Sequence, residues 1–305
     1  MEYIIETKNL TKQYRTSTVV DCINLHVPKG KIYGLLGRNG AGKTTVMKMI
    51  LKLVKPTAGS IQIFRTDYMG NVDNLYRNIG SIIESPGFYN NLTAKENLQI
   101  ISRLRGQPNE EKVYKALEAV NLHKECTKTF AYYSLGMKQR LAIAAAIMHE
   151  PEILILDEPI NGLDPIGISE IRSFLWNLNR NQGTTIFISS HVLSEIEQLA
   201  DVIGIMHEGN LLEEINMIDL HKRRRRFTQF DVSNPSIAIK LLEDNYGITD
   251  YSVQGDTIKI YDSLSNRGYI NKTFVENGLI VSKINTFEES LEDYLSKLIG
   301  GVDNA

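Results

Sequence analysis

Between the apolar run Ile32-Tyr33-Gly34-Leu35-Leu36 and the helix-forming run Thr45 to Val54 stands Gly37-Arg38-Asn39-Gly40-Ala41-Gly42-Lys43-Thr44. Its spacing is G-x-x-x-x-G-K-[ST]. A loop of this kind needs a buried strand to launch it and a helix amino terminus to receive it, which restricts the chain to a sheet flanked by helices. Glycines at 37, 40 and 42 let the backbone turn tightly and aim its N–H groups inward, making a concavity for an anion. In such a loop Gly37, Arg38, Asn39, Gly40, Ala41, Gly42, Lys43, Thr44 and Thr45 surround the phosphates of ATP. Lys43 is expected to reach the β- and γ-phosphates, and the Thr44 hydroxyl to coordinate Mg2+. A chance match in a glycine-containing turn would lack the strand before and the helix after.

From Tyr3 to about Gly209, short β-branched or aliphatic runs alternate with helical stretches, the rhythm of a parallel sheet wrapped by helices. Ile32–Leu36, Ile153-Leu154-Ile155-Leu156 and Thr185-Ile186-Phe187-Ile188 are apolar at nearly every position and read as central strands buried on both faces. Thr93-Ala94-Lys95-Glu96 has capping-box spacing and opens a helix through about Leu104, and Asn109-Glu110 opens another. A mainly helical subdomain over about 93–150 therefore interrupts the sheet. After Gly209 the texture changes. The expected division is a large domain over 1–215, a basic linker over 216–226 and a small α+β module over 227–305. Within the module, Phe227–Val232, Thr257–Ile260 and Ile280–Ile284 read as strands, and Ser236–Leu242, Arg267–Glu276 and Phe287–Leu298 as helices.

Hydrophobic residues at 42% and charged residues at 23% exclude a disordered or fibrous chain. A net charge of −2 gives no global bias toward nucleic acid or an anionic membrane. The run Lys222-Arg223-Arg224-Arg225-Arg226 is locally positive and has two readings, a patch for nucleic acid or acidic headgroups and a solvated hinge. No aromatic-interleaved RNA motif accompanies it, so the hinge is favoured and no nucleic-acid partner is expected. Cys22 and Cys126 form no CxxC pair, which fits a reducing compartment. The amino terminus lacks the basic start and apolar core of a secretion signal, and the apolar runs are far short of a spanning helix; a soluble, cytoplasmic chain is expected.

The strand Ile153–Leu156 ends in Asp157-Glu158, at the position where ligands of open α/β sheets bind. In a magnesium nucleotide site, Asp157 would hold Mg2+ through water and Glu158 would polarise the attacking water. Taken alone, a charged turn at a strand end makes the same pattern. Three further segments accompany it: Tyr133-Ser134-Leu135-Gly136-Met137-Lys138-Gln139-Arg140 upstream, Asn161-Gly162-Leu163-Asp164-Pro165 downstream, and His191 after the strand Thr185–Ser189. In that order the motifs resemble the ATP-binding cassette (ABC) ATPase family over roughly residues 3–210. The resemblance implies a P-loop NTPase fold with a helical subdomain, and Mg2+-dependent ATP hydrolysis with Glu158 and His191 as the catalytic pair. It places His191 at the γ-phosphate, Asp164 in a loop communicating across a dimer, and Tyr14 on the adenine ring, although a lone surface tyrosine has many other uses. Ser134 and Gly136 sit at the amino end of a helix, Met137 to His149, whose free N–H groups can bind phosphate. In the family this segment faces nucleotide held by a second copy, so two ATPs would be sandwiched between two chains.

Two segments depart from the family pattern. Its five-residue signature is Leu-Ser-Gly-Gly-Gln, against Tyr133-Ser134-Leu135-Gly136-Met137 here, a variant familiar among drug- and peptide-exporting members. The loop that normally carries glutamine reads Ile82-Ile83-Glu84-Ser85-Pro86-Gly87-Phe88-Tyr89 and puts Glu84 in that place. A carboxylate can still coordinate Mg2+ or its water, which would make Glu84 a metal ligand beside Thr44 and Asp157; the plainer reading is a solvated strand-end acid. Glu84 resembles the variant loop of lantibiotic-immunity and bacitracin-resistance exporters, and the ending Ser290-Leu291-Glu292-Asp293-Tyr294-Leu295 resembles the last helix of bacitracin-type transport ATPases. The implied protein works on the inner face of the cell membrane with separate transmembrane permease subunits and exports a peptide antibiotic, lantibiotic or bacitracin-like compound. The alternatives are an ABC-2-type exporter of another substrate and a soluble ABC ATPase acting on ribosomes. Members of the latter class usually carry tandem cassettes or a long coiled-coil insertion, and neither is present here.

Overall fold

The computed structural model describes residues 2–67, 76–84, 87–106, 108–261 and 266–302. Ser85 and Pro86, part of the loop around Glu84, lie outside the described residues. The chain forms two compact units, Met1–Met217 and Ile218–Ala305.

The first unit holds two sheets. Strands β1 (Tyr3–Tyr14), β2 (Ser17–Ile23), β3 (His26–Pro28), β5 (Ala58–Ile63) and β6 (Thr66–Asp67) make a five-stranded sheet whose pairings are antiparallel. The expectation of a parallel sheet from Tyr3 onward does not hold for the first strands: β1 pairs antiparallel with its hairpin partner β2, with β3, and with β5, the strand that follows the phosphate loop and its helix. The second sheet has six strands in the order β11 (Asn210–Asn216), β10 (Val202–His207), β4 (Ile32–Leu36), β9 (Thr185–Ser190), β8 (Ile153–Asp157) and β7 (Ile79–Ile82). All neighbours in it are parallel except β11, which closes one edge antiparallel to β10. Every residue of β4 and β9 is buried, as are Ile153–Leu156, which explains why these strands lack polar alternation.

Helix α1 (Lys43–Ile50) leaves β4 through the glycine loop and buries Val46, Met47, Met49 and Ile50. Between β7 and β8 come α2 (Ala94–Leu104), α3 (Glu110–Ala119) and α4 (Leu135–Ile147). The capping box at Thr93 is formed: Thr93 N donates to Glu96 Oε2 at 2.8 Å, and Glu96 N donates to Thr93 Oγ1 at 3.2 Å. Asn109 caps α3 through its Oδ1, which accepts from Lys112 N at 3.0 Å. Helix α5 (Pro165–Gln182) follows β8, and the short α6 (Leu193–Glu197) follows β9. No helix among the described residues is long and apolar enough to cross a membrane.

The second unit is α+β. After α7 (Met217–Arg223) the order is β12 (Arg226–Val232), α8 (Pro235–Tyr246), β13 (Tyr251–Gln254), β14 (Thr257–Ile260), α9 (Arg267–Glu276) and β15 (Val281–Glu288), then α10 (Leu291–Val302). The sheet runs β13-β14-β12-β15 with antiparallel neighbours, the βαββαβ pattern of ferredoxin-like folds. Phe230, Phe274, Ile258 and Leu242 form its core and have no exposure.

The basic run is divided between two elements of the second unit. Lys222 and Arg223 end α7, and Arg226 begins β12. Lys222 pairs with Asp219 at 3.3 Å, Arg225 pairs with Asp250 and lies 4.3 Å over the Tyr261 ring, and the buried Arg224 donates from Nε to the Glu289 carbonyl. The partners of Arg224 and Arg225 are distant in sequence and tie these two residues into the second unit, while Lys222, Arg223, Arg225 and Arg226 remain exposed.

Candidate functional site

The glycine loop connects the carboxyl end of β4 to the first turn of α1. Gly42 caps the helix with φ +102°, and Gly40 has φ +86°, a region that L side chains rarely adopt. A Cβ added at Gly42 would stand 2.7 Å from the Val19 carbonyl oxygen, so both the backbone angle and the space exclude other residues. The loop then folds over its own lysine. Lys43 is 5% exposed; its Nζ donates to the carbonyls of Gly37 at 2.7 Å and Arg38 at 3.3 Å, and lies 3.3 Å from Glu158 Oε1. A nearly buried ammonium at a helix amino terminus, beside a ring of loop N–H groups, is an arrangement for a polyanion. Arg38, Asn39 and Gly40 are exposed at the rim of the loop, Ala41 is buried, and Thr45 is half-buried in the first turn.

The parallel register of β8 and β9 sets Asp157 opposite Ser189, and β8 ends at the first turn of α1. Thr44 Oγ1 donates to Asp157 Oδ2 at 2.7 Å. Ser189 Oγ donates to Asp157 Oδ1 at 2.6 Å and accepts from Glu158 N at 3.0 Å. Ser189 is a residue that motif reading passes over. Its signal is a fully buried hydroxyl at the end of an otherwise apolar strand, in register with the acid. Glu158 has φ +49°, an unusual angle for a carboxylate residue, held while its two oxygens are divided between Lys43 and His191. His191 Nδ1 lies 2.7 Å from Glu158 Oε2.

Lys43, Thr44, Asp157, Glu158, Ser189 and His191 thus form one connected group. The other expected residues stand outside it. Glu84 is not joined to Thr44 or Asp157: its Oε1 accepts from Lys48 Nζ at 2.6 Å, and its side chain is 69% exposed. That hydrogen bond holds the Glu84 carboxyl below its usual range and the Lys48 ammonium above its own. Tyr14 ends β1; the residue is 47% exposed and the Lys12 ammonium lies 4.7 Å from the centre of its ring. Ser134 caps α4, accepting from Met137 N at 3.3 Å, and Asp164 caps α5, accepting from Gly167 N at 3.1 Å. Ser134, Gly136 and Asp164 line one open cavity of about 430 Å³ with Arg140 and Glu170. A Cβ added at Gly136 would meet only the Leu163 side chain, at 3.8 Å, so packing within this chain does not call for glycine there.

The cradle fits magnesium and a nucleoside triphosphate by its donor set: a buried lysine and loop amides for phosphate, and a hydroxyl paired with a carboxylate for a hard divalent cation. Among the described residues no group of three or more His, Cys, Asp or Glu side chains could hold a metal by itself.

The family model for ABC transporters matches residues 20–161. The bacitracin transport ATP-binding protein BcrA of Enterococcus faecalis is 67% identical over 99% of this chain and 98% of its own length, and that of Bacillus licheniformis is 52% identical over 99% of both. The lantibiotic transport ATP-binding protein SrtF of Streptococcus pyogenes is 44% identical over 69% of this chain and 90% of its own. Among solved structures, an ATP-binding subunit of an ABC transporter superposes with a TM-score of 0.64 at 29% identity, covering 72% of this chain and 92% of that one. A bacterial ABC cassette solved as a dimer gives a TM-score of 0.64 over 70% of this chain and 98% of its own; at 24% identity that likeness speaks to the fold. The chain belongs to the ABC transporter family, as an ATP-hydrolysing cassette subunit with the P-loop NTPase fold.

Proposed function

We propose that this chain hydrolyses magnesium-bound ATP to drive export of bacitracin or a related peptide antibiotic, working with separate permease subunits at the inner face of the cell membrane. The observation that carries the chemistry is the division of the Glu158 carboxylate between Lys43 and His191. In this reading Lys43 and the loop amides of residues 37–45 bind the β- and γ-phosphates, and Tyr14 lies against adenine. Thr44 and Asp157 would hold magnesium, which when bound would neutralise phosphate charge and polarise the bond to be broken. Glu158 accepts a proton from the attacking water, and His191 holds the carboxylate in orientation on the γ-phosphate side.

Ser134, Gly136 and Asp164 serve nucleotide held by a second copy. The support is the open cavity they share and a glycine at 136 that the chain's own packing does not require. The antibiotic class rests on likeness along the whole chain to bacitracin transport subunits, the second unit included. Co-expression with its permease in a bacitracin-sensitive strain tests the reading. Resistance lost with Lys43→Ala and with Glu158→Gln is the expected result, and resistance that survives both would overturn it.

A further inference from the structure

We propose that Lys48 is the positioning residue for Glu84, the counter-ion that lets a carboxylate stand at the edge of a site built for a polyanion. The inference rests on the nucleotide site proposed above and adds a residue that no motif covers. Lys48 lies one helical turn beyond Thr44 on the same side of α1. Asp157 Oδ2 is 2.7 Å from Thr44 Oγ1, and Lys48 Nζ is 2.6 Å from Glu84 Oε1. A row of four side chains, Asp157, Thr44, Lys48 and Glu84, therefore runs from the acidic strand end to the loop.

Asp157 and Glu158 already bring two carboxylates to the place where phosphates and a cation would meet. A third carboxylate without a partner would repel the phosphates and compete for the cation. Lys48 answers that charge locally. It also gives the Glu84 side chain an anchor on α1 while the backbone of that residue takes the left-handed φ of +65°. The geometry points to one charge unit, Lys48 with Glu84, which leaves the phosphate-side field as a neutral side chain at position 84 would leave it.

The test is a double-mutant cycle on the full chain, read as the affinity for a fluorescent ATP analogue without magnesium and then along a magnesium titration. Lys48→Gln is expected to weaken magnesium-free binding about two- to fivefold, the range of an exposed ion pair, with the effect shrinking at high salt. Lys48→Arg retains the wild-type value. Glu84→Gln alone leaves magnesium-free binding near the wild-type value, and in that background Lys48→Gln no longer weakens it, so the two changes are not additive. Rescue of this kind separates charge positioning from a merely structural role, which would leave both lysine variants equally impaired. Additive effects, or no change in Lys48→Gln, would overturn the inference while leaving the nucleotide site intact. Wild-type protein that binds no nucleotide would remove the site reading and this inference with it.

Discussion

Glu158 and His191 meet at 2.7 Å, Oε2 to Nδ1, while the other oxygen of the same carboxylate faces Lys43 at 3.3 Å. A base whose two oxygens are both engaged has one orientation, as water activation requires. Glu158→Gln keeps the shape and loses the proton acceptor, so ATP turnover should fall by about 10²-fold or more with nucleotide binding retained. The variant should accumulate an ATP-dependent dimer on a sizing column. A turnover within a factor of three of wild type would show that the base lies elsewhere.

Ser189 offers a quieter test of the same site. Its hydroxyl donates to Asp157 and accepts from the Glu158 backbone, joining the proposed metal ligand to the proposed base. Ser189→Ala leaves Asp157 Oδ1 without that donor and lets the carboxylate turn. The magnesium concentration for half-maximal ATPase should rise about tenfold, the usual scale for residues that orient a metal ligand. An unchanged magnesium dependence would reduce Ser189 to a packing residue.

Acid stability should depend on His149, just past α4. Its Nε2 donates to the Ile79 carbonyl at 3.1 Å, its Nδ1 is buried without a partner among the described residues, and burial, with Arg105 adding to it, lowers its pKa to about 4 from an ordinary value of 6.5. The unfolded chain binds this proton near 6.5, whereas the folded chain resists it down to about 4. The contribution is therefore complete above pH 6.5 and lost as pH falls toward 4. His149→Gln can still donate to Ile79 and does not titrate. Between pH 7.5 and 5 its urea midpoint should fall less than that of the wild type.

Local chemistry made much of this fold legible. The capping box at Thr93, the strand Thr257–Ile260 and the helix Arg267–Glu276 lie where residue patterns put them, because each is set by neighbours within a few positions. Features that need distant partners were less legible. Lys48 reads as an ordinary helix cation until a loop 36 residues away brings Glu84 to it, and Arg224 and Arg225 read as a hinge until Glu289 and Asp250 arrive. Ser189 is a small residue ending a strand, and only the register of β8 against β9 gives it a role. The antiparallel first sheet was hidden for the same reason: β1 pairs with β5 across the whole phosphate loop and helix.

Gly136 separates a shared site from a self-contained one. It occupies the first turn of α4, has no positive φ, and a Cβ there would meet only Leu163 at 3.8 Å. Within one chain, Gly136→Ala is therefore a compatible substitution that should leave the unfolding midpoint unchanged or raise stability by about 0.5–1 kcal/mol, since alanine limits the unfolded backbone and favours helix. If the first turn of α4 is approached closely by nucleotide on a second copy, the added methyl group obstructs that approach. ATP-dependent pairing and turnover should then fall at least tenfold in a protein no less stable than the wild type, with ATP binding by the phosphate loop unchanged. Measuring denaturation, nucleotide affinity and turnover on the same preparation checks all three. A Gly136→Ala protein that is as stable and as active as the wild type would confine the site to one chain.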